Sequence, residues 1–279
     1  MPVPALQPDR INILMYHQVG DFGRSPAVRA HPSTYCDRHR FARQMAWLAS
    51  HGYTVLDMDA VLACLRGERA IPPRAVALTF DDGYRNFYEH AWPVLQRHGF
   101  PATVYLIADM LGQPARWFAA DGRDTPPLMA RAELLELRRA GILFGSHTAG
   151  HVKLAQHSDA VIHDELSRSR QVLEDLFGER IDHFCYPYGS HDLRVVEAVA
   201  EAGYLTATTC NRAPAGRDDD PLVLPRKAIA HGDNLLGFLW RLHMKNTPRK
   251  TPLHRADVAA PAPGVGRGLA LAAGVDNNQ

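Results

Sequence analysis

The chain has 279 residues, 46% hydrophobic and 22% charged, a composition that supports a sizeable core and excludes a disordered chain. Lys and Arg number 31 against 30 Asp and Glu, so the formal charge of +1 excludes a broad footprint for nucleic acid or an anionic membrane. Four cysteines (Cys36, Cys64, Cys185, Cys210) stand far apart with no CxxC pair, which argues against a thiolate zinc site or a disulfide framework and for free core thiols.

The N-terminal residues carry no basic region followed by an apolar stretch, and no apolar run approaches the ~18 residues of a membrane span, so a soluble cytoplasmic protein is expected. Residues 11–15 read as a strand followed by a Gly/Pro/Arg/Ser-rich loop. Phe41, Met45, Leu48 and Ala49 recur at helical spacing and stop at His51-Gly52; residues 53–56 form a strand, and Asp57 caps a helix that runs to residue 65. The next unit is a βαβ crossover: strand 74–80, helix 86–98 stopped by Gly99, strand 102–107. A helix over 132–140, a strand over 142–145, a long helix over 159–177, a strand over 183–186, a helix over 193–202 and a strand over 204–208 complete the series. This alternation implies an α/β protein with a parallel sheet, and about seven strands suit an incomplete or distorted barrel. Residues 1–245 read as one domain, and the Pro/Ala/Gly-rich stretch 246–279 as a mostly disordered tail.

In such proteins functional side chains gather where the strands end. Three polar clusters fall there: Asp81-Asp82-Gly83, Ser146-His147 through His151, and Pro187-Tyr188-Gly189. Each alone is weak, since Asp-Asp-Gly turns and exposed histidine pairs are common. Adjacent carboxylates after a buried strand need a positive partner, and a divalent metal supplies one; because successive side chains diverge, one aspartate can bind it while the other acts as a base. His147 and His151, four apart, would face the same side of a helical turn. Two histidines and one carboxylate make a three-ligand set with open positions, the catalytic pattern, and the donor types favour zinc.

These residues resemble the polysaccharide deacetylase family (carbohydrate esterase family 4, the NodB-type domain) over roughly residues 10–242. The resemblance implies a distorted (β/α)7 barrel acting on N-acetyl groups of a carbohydrate, with Asp81 as base and Asp82, His147 and His151 as metal ligands. It also implies an oxyanion donor from the backbone near Tyr188. The family's third motif begins with an arginine where this chain has Cys185; Arg226 is the candidate to hold Asp81 in its place. The family's late histidine acid has no clean match. His17, at the end of the first strand, resembles the acid of an exopolysaccharide-deacetylase subset with permuted strands and is preferred to His231. Trp117 (in a long insertion with Phe118), Tyr188 and His231 could bind sugar, and Leu154 would support the metal helix. Two rival readings stay open: a metal-dependent amidase on a small cyclic amide, and a carbohydrate-binding module with weak activity.

Overall fold

A computed structural model describes residues 7–21 and 29–255. Strand β1 (Asn12–Tyr16) leads into a short parallel ribbon of β2 (Gln18–Gly20) and β3 (Tyr35–Asp37), which the sequence did not signal. Helix α1 (Arg38–Ser50) follows, capped by the Asp37 carboxylate, which accepts from the His39 and Arg40 amides. Then come β4 (Thr54–Leu56), α2 (Met58–Leu65) with Asp57 as its cap, and β5 (Ala75–Phe80), buried throughout. The rest alternates: α3 (Trp92–His98), β6 (Thr103–Leu106), α4 (Arg131–Arg139), β7 (Leu143–Ser146), α5 (Asp159–Phe177), β8 (His183–Cys185), α6 (Leu193–Glu201), β9 (Thr206–Thr208), β10 (Lys227–Ala228) and α7 (Leu235–Met244).

The main sheet runs β10-β1-β5-β6-β7-β8-β9 with parallel neighbours throughout. Its two edges meet. Leu224 bridges Thr208 of β9 in parallel, and three residues later Lys227 pairs with Leu14 of β1, so the segment 224–228 closes the ring. The fold is the distorted (β/α)7 barrel that the sequence led us to expect, but one strand differs. The strand at 53–56 lies off the ring: β4 pairs only with the first half of β5, at Ala75 to Ala77, and β6 takes up Thr79 and Phe80 beyond it. The seventh place belongs to 224–228, whose two-residue β10 is too short to show a period.

Alternation along the strands separates two packing faces. Ile13, Ala75, Ala77, Tyr105, Cys185 and Leu224 meet in one cluster, while Leu14, Val76, Leu78, Phe80, Val104 and Phe184 pack in another with residues of α1, α3 and α6. Burial on both faces explains why the strands read as unbroken apolar runs.

Residues 246–255, expected to belong to a disordered tail, are strapped to the barrel. Lys227 Nζ donates to Asn246 Oδ1 at 2.7 Å, Asn211 bonds the backbone at 249–250, and Arg255 forms a double contact with the fully buried Asp220. Residues 256–279 lie outside the described residues. Among the described residues, no helix is long and apolar enough to cross a membrane.

Candidate active site

Asp81 continues the alternation of Ala75, Ala77 and Thr79, so its side chain follows theirs towards the inner face just past the end of β5. There it meets Arg226. The guanidinium, on the closing segment and wholly buried, donates from Nη1 to Oδ1 at 2.6 Å and from Nη2 to Oδ2 at 2.7 Å, the two-pronged geometry that suits a carboxylate. Arg226 also donates to Thr209 O and Thr79 Oγ1, both at 3.0 Å, and Nη2 stands 3.1 Å from Cys185 Sγ. Burial alone would raise the Asp81 pKa; Arg226, with smaller help from His17 and His147, holds it below the ordinary value.

Asp82, one residue on, turns the other way. It adopts a left-handed backbone (φ 73°), as does Gly83 (φ 71°), where an added Cβ would lie 2.7 Å from Leu106 Cδ2. Thr148, His151 and Tyr188 are also left-handed, so four of the six such non-glycine residues described cluster here, each at roughly 1 kcal/mol or more of strain. Strain concentrated at one place marks a constellation fixed by something other than folding.

His147 and His151 do not share a helical turn. They lie on a loop after β7, with Thr148 and His151 at φ 65° and 60°, and the loop reverses so that both Nε2 atoms stand 3.3 Å from Asp82 Oδ1. Backbone bonds hold it: His147 N–H to Leu106 O, Ala108 N–H to Thr148 O and Asp109 N–H to Ala149 O. Glu165 of α5, which nothing in the sequence singled out, accepts the Gly150 N–H at 2.7 Å. Leu154 is buried in a short 3-10 turn beyond the loop, not under a metal-bearing helix.

Asp82, His147 and His151 together fit a divalent cation. All three are buried, their donor atoms converge, and Asp82 Oδ1 has no hydrogen-bond partner among the described residues. His147 Nδ1 lies 2.7 Å from Cys185 O, so its N–H goes to that carbonyl and Nε2 is left as the electron-pair donor. Burial works against charge on each group. Even so, the two imidazoles hold Asp82 well below the carboxylate range, and Cys185 and Asp82 hold His147 above the ordinary imidazole value. His151 goes the other way: burial pushes it down. Asp81, His147 and Cys185 also converge, but both Asp81 oxygens already serve Arg226, and a cation there would face a guanidinium.

His17 follows β1, with Nε2 3.8 Å from Asp81 Oδ2 and Nδ1 buried without a hydrogen bond among the described residues. Trp117 and Tyr188 pack on the His151 ring at 4.5 and 4.7 Å between centroids; Tyr188 is 46% exposed, so a broad aromatic surface borders the cation site. Phe118 stacks on His31 instead. His231 makes no described contact with the cluster; its backbone is tied to Arg40 and Pro32. Of the cysteines, Cys185 is a working neighbour of Asp81 and His147, Cys36 and Cys64 are buried, and Cys210 is exposed, against the expectation of a core thiol.

The family profile described as polysaccharide deacetylase matches residues 68–207. The Bacillus subtilis protein YxkH is 26% identical over 226 residues, covering 81% of this chain and 74% of that one. A poly-beta-1,6-N-acetyl-D-glucosamine N-deacetylase of Staphylococcus aureus is 24% identical over 200 residues, 68% of this chain and 66% of its own length. Among solved structures, the Streptococcus pyogenes deacetylase PplD in complex with acetate superposes with a TM-score of 0.73 at 24% identity, covering 85% of this chain and all of that one (100%).

Proposed function

Because the chain belongs to the polysaccharide deacetylase family, a family of hydrolases, we propose that it removes N-acetyl groups from an N-acetylhexosamine-containing glycan or its precursor in a metal-dependent reaction that releases acetate. The observation that carries this reading is the buried triad Asp82, His147 and His151, set beside an aspartate that Arg226 keeps ionised.

Asp82 Oδ1 and the two Nε2 atoms would hold the ion. A divalent cation, zinc by donor type, supplies a Lewis acid that polarises the acetamide carbonyl and makes water easier to deprotonate. Asp81 takes the proton from the attacking water. Its pair with Arg226 sets both its charge and its direction, which a lone buried carboxylate would lack. His17, within 3.8 Å of Asp81, gives a proton to the departing amine, so the amine leaves neutral as the C–N bond breaks and acetate forms. A backbone N–H near Tyr188, where the turn is strained, would stabilise the oxyanion, and the Tyr188 and Trp117 rings would offer apolar faces to a sugar.

The test is acetate release from short β-linked N-acetylglucosamine oligomers, with and without chelator and beside Asp81→Asn. Chelator-sensitive release that Asp81→Asn abolishes is expected. Turnover only of small cyclic amides would replace the glycan reading with the amidase one, and failure to bind any divalent cation would remove both.

A further inference from the structure

The strap 246–255 has no part in closing the barrel, yet three separate clamps fix it. At its start Lys227 Nζ holds Asn246; at its end Arg255 grips the buried Asp220 with bonds of 3.0 and 3.1 Å. In the middle the Asn211 side chain accepts from the Arg249 and Lys250 amides at 3.0 and 3.2 Å and donates to Lys250 O at 2.7 Å. That commits the whole amide to two residues of coil. Both side chains so placed are exposed cations, and among the described residues neither is in an ion pair.

They line a cavity of about 390 Å³, within the ~300–1,000 Å³ range of small-ligand sites. One wall is Tyr188, whose ring lies against His151; another is His191, and no lining residue bears a carboxylate. Lys153 Nζ lies 5.1 Å from the same Tyr188 ring but outside the cavity lining. The cavity therefore adjoins the cation site across one aromatic ring and is positive in character.

We infer that this cavity is an anion-accepting subsite, and that the natural glycan carries a carboxylate or phosphate on a unit beside the N-acetylated sugar. The inference rests on the deacetylase reading for its substrate and adds the class of that substrate. Arg249 and Lys250 lie away from the reacting atoms, so they bind ground and transition state alike, and their contribution appears in KM more than in kcat.

Two measurements test it. The first is acetate release from three oligomers: neutral β-linked N-acetylglucosamine, one alternating N-acetylhexosamine with uronate, and one bearing a phosphomonoester. At low salt kcat/KM for an acidic oligomer should exceed that for the neutral one by about tenfold, the effect of one charge-assisted contact. Arg249→Gln/Lys250→Gln should bring the ratio near one, Lys250→Glu should invert it, and added salt should shrink it. Whichever acidic oligomer is preferred identifies carboxylate or phosphate. Equal kcat/KM for neutral and acidic oligomers in the unaltered protein would overturn the inference and leave the deacetylase reading intact. The second measurement is calorimetric binding of the same oligomers to Asp81→Asn protein, which needs no turnover. Tighter binding of an acidic oligomer, lost in the Arg249/Lys250 double variant, would support the subsite even if no acetate were released, whereas indifference to charge there would overturn it.

Discussion

Replacing Arg226 with methionine keeps much of the side chain's bulk and removes its charge and its donors. Asp81, 3% exposed, would lose partners at 2.6 and 2.7 Å on its two oxygens. Breaking one side of a buried ion pair costs roughly 3–5 kcal/mol, because the other charge remains buried and unpaired. Most of that loss belongs to the stranded carboxylate, so adding Asp81→Asn should return part of it. A cycle of the two singles and the double should give a coupling of about 2–3 kcal/mol. The pH dependence has a definite sign. Asp81 in the folded protein sits below its ordinary value, so its pairing contributes stability that is present above about pH 4 and lost as pH falls through the folded value. Without Arg226, burial outweighs the smaller help from His17 and His147 and raises Asp81, so the variant's deficit should be largest at neutral pH and shrink in acid. Urea unfolding followed by tryptophan fluorescence at pH 7 and pH 4 measures both effects. Losses that add to within about 0.5 kcal/mol, or a deficit that ignores pH, would refute the reasoning.

Three further outcomes are expected. His147 is held above its ordinary value by its neighbours, against the pull of burial, so cation binding must displace a proton. Apparent affinity in a competition titration should therefore rise with pH, by up to about tenfold per unit while one proton is released, and Asp82→Ala should abolish stoichiometric binding. Glu165→Ala leaves the Gly150 N–H without its 2.7 Å acceptor and loosens the loop that carries His151; outer-sphere losses of this kind weaken metal affinity about 10–100-fold, with little effect expected on the far-ultraviolet dichroism. Lys227, 1% exposed, has its pKa pushed down by burial to about 7, whereas the unfolded chain retains the ordinary ~10.4. Between those values the unfolded state binds more protons, so stability should rise with pH from about 7 to 10; Lys227→Met should flatten that slope in parallel denaturation series.

Much of the site can be read from local pattern. Residues 75, 77 and 79 set the side on which Asp81 must emerge, and the divergence of neighbouring side chains assigns Asp82 to the other task. The histidine pair shows where local pattern misleads. A spacing of four fits a helical turn, but it fits equally a loop with two left-handed residues, and neither Thr148 nor His151 advertises that backbone as a glycine would. Arg226 is visible in the sequence only as an answer to a gap at Cys185, since its contact with Asp81 spans 145 positions. Glu165 gives no signal because a carboxylate in a polar helix ordinarily faces water, and only the packing of α5 under the loop turns it inward. The strap reads as a tail for a related reason: it has neither helical nor strand period, and its order comes from side chains elsewhere in the chain.

The closing segment 224–228 carries a consequence for quality control within the molecule. Arg226 sits between the residue that joins β9 and the residue that joins β1, and its own amide is bonded to Asn211 O. A chain whose seam has not shut, or has frayed, withdraws the guanidinium and leaves Asp81 buried without the partner that does most to hold its pKa down. With Asp81 in its proposed role as base, competence for hydrolysis would arrive with the last hydrogen bonds of the ring and depart with the first to break, so a half-assembled barrel would be silent.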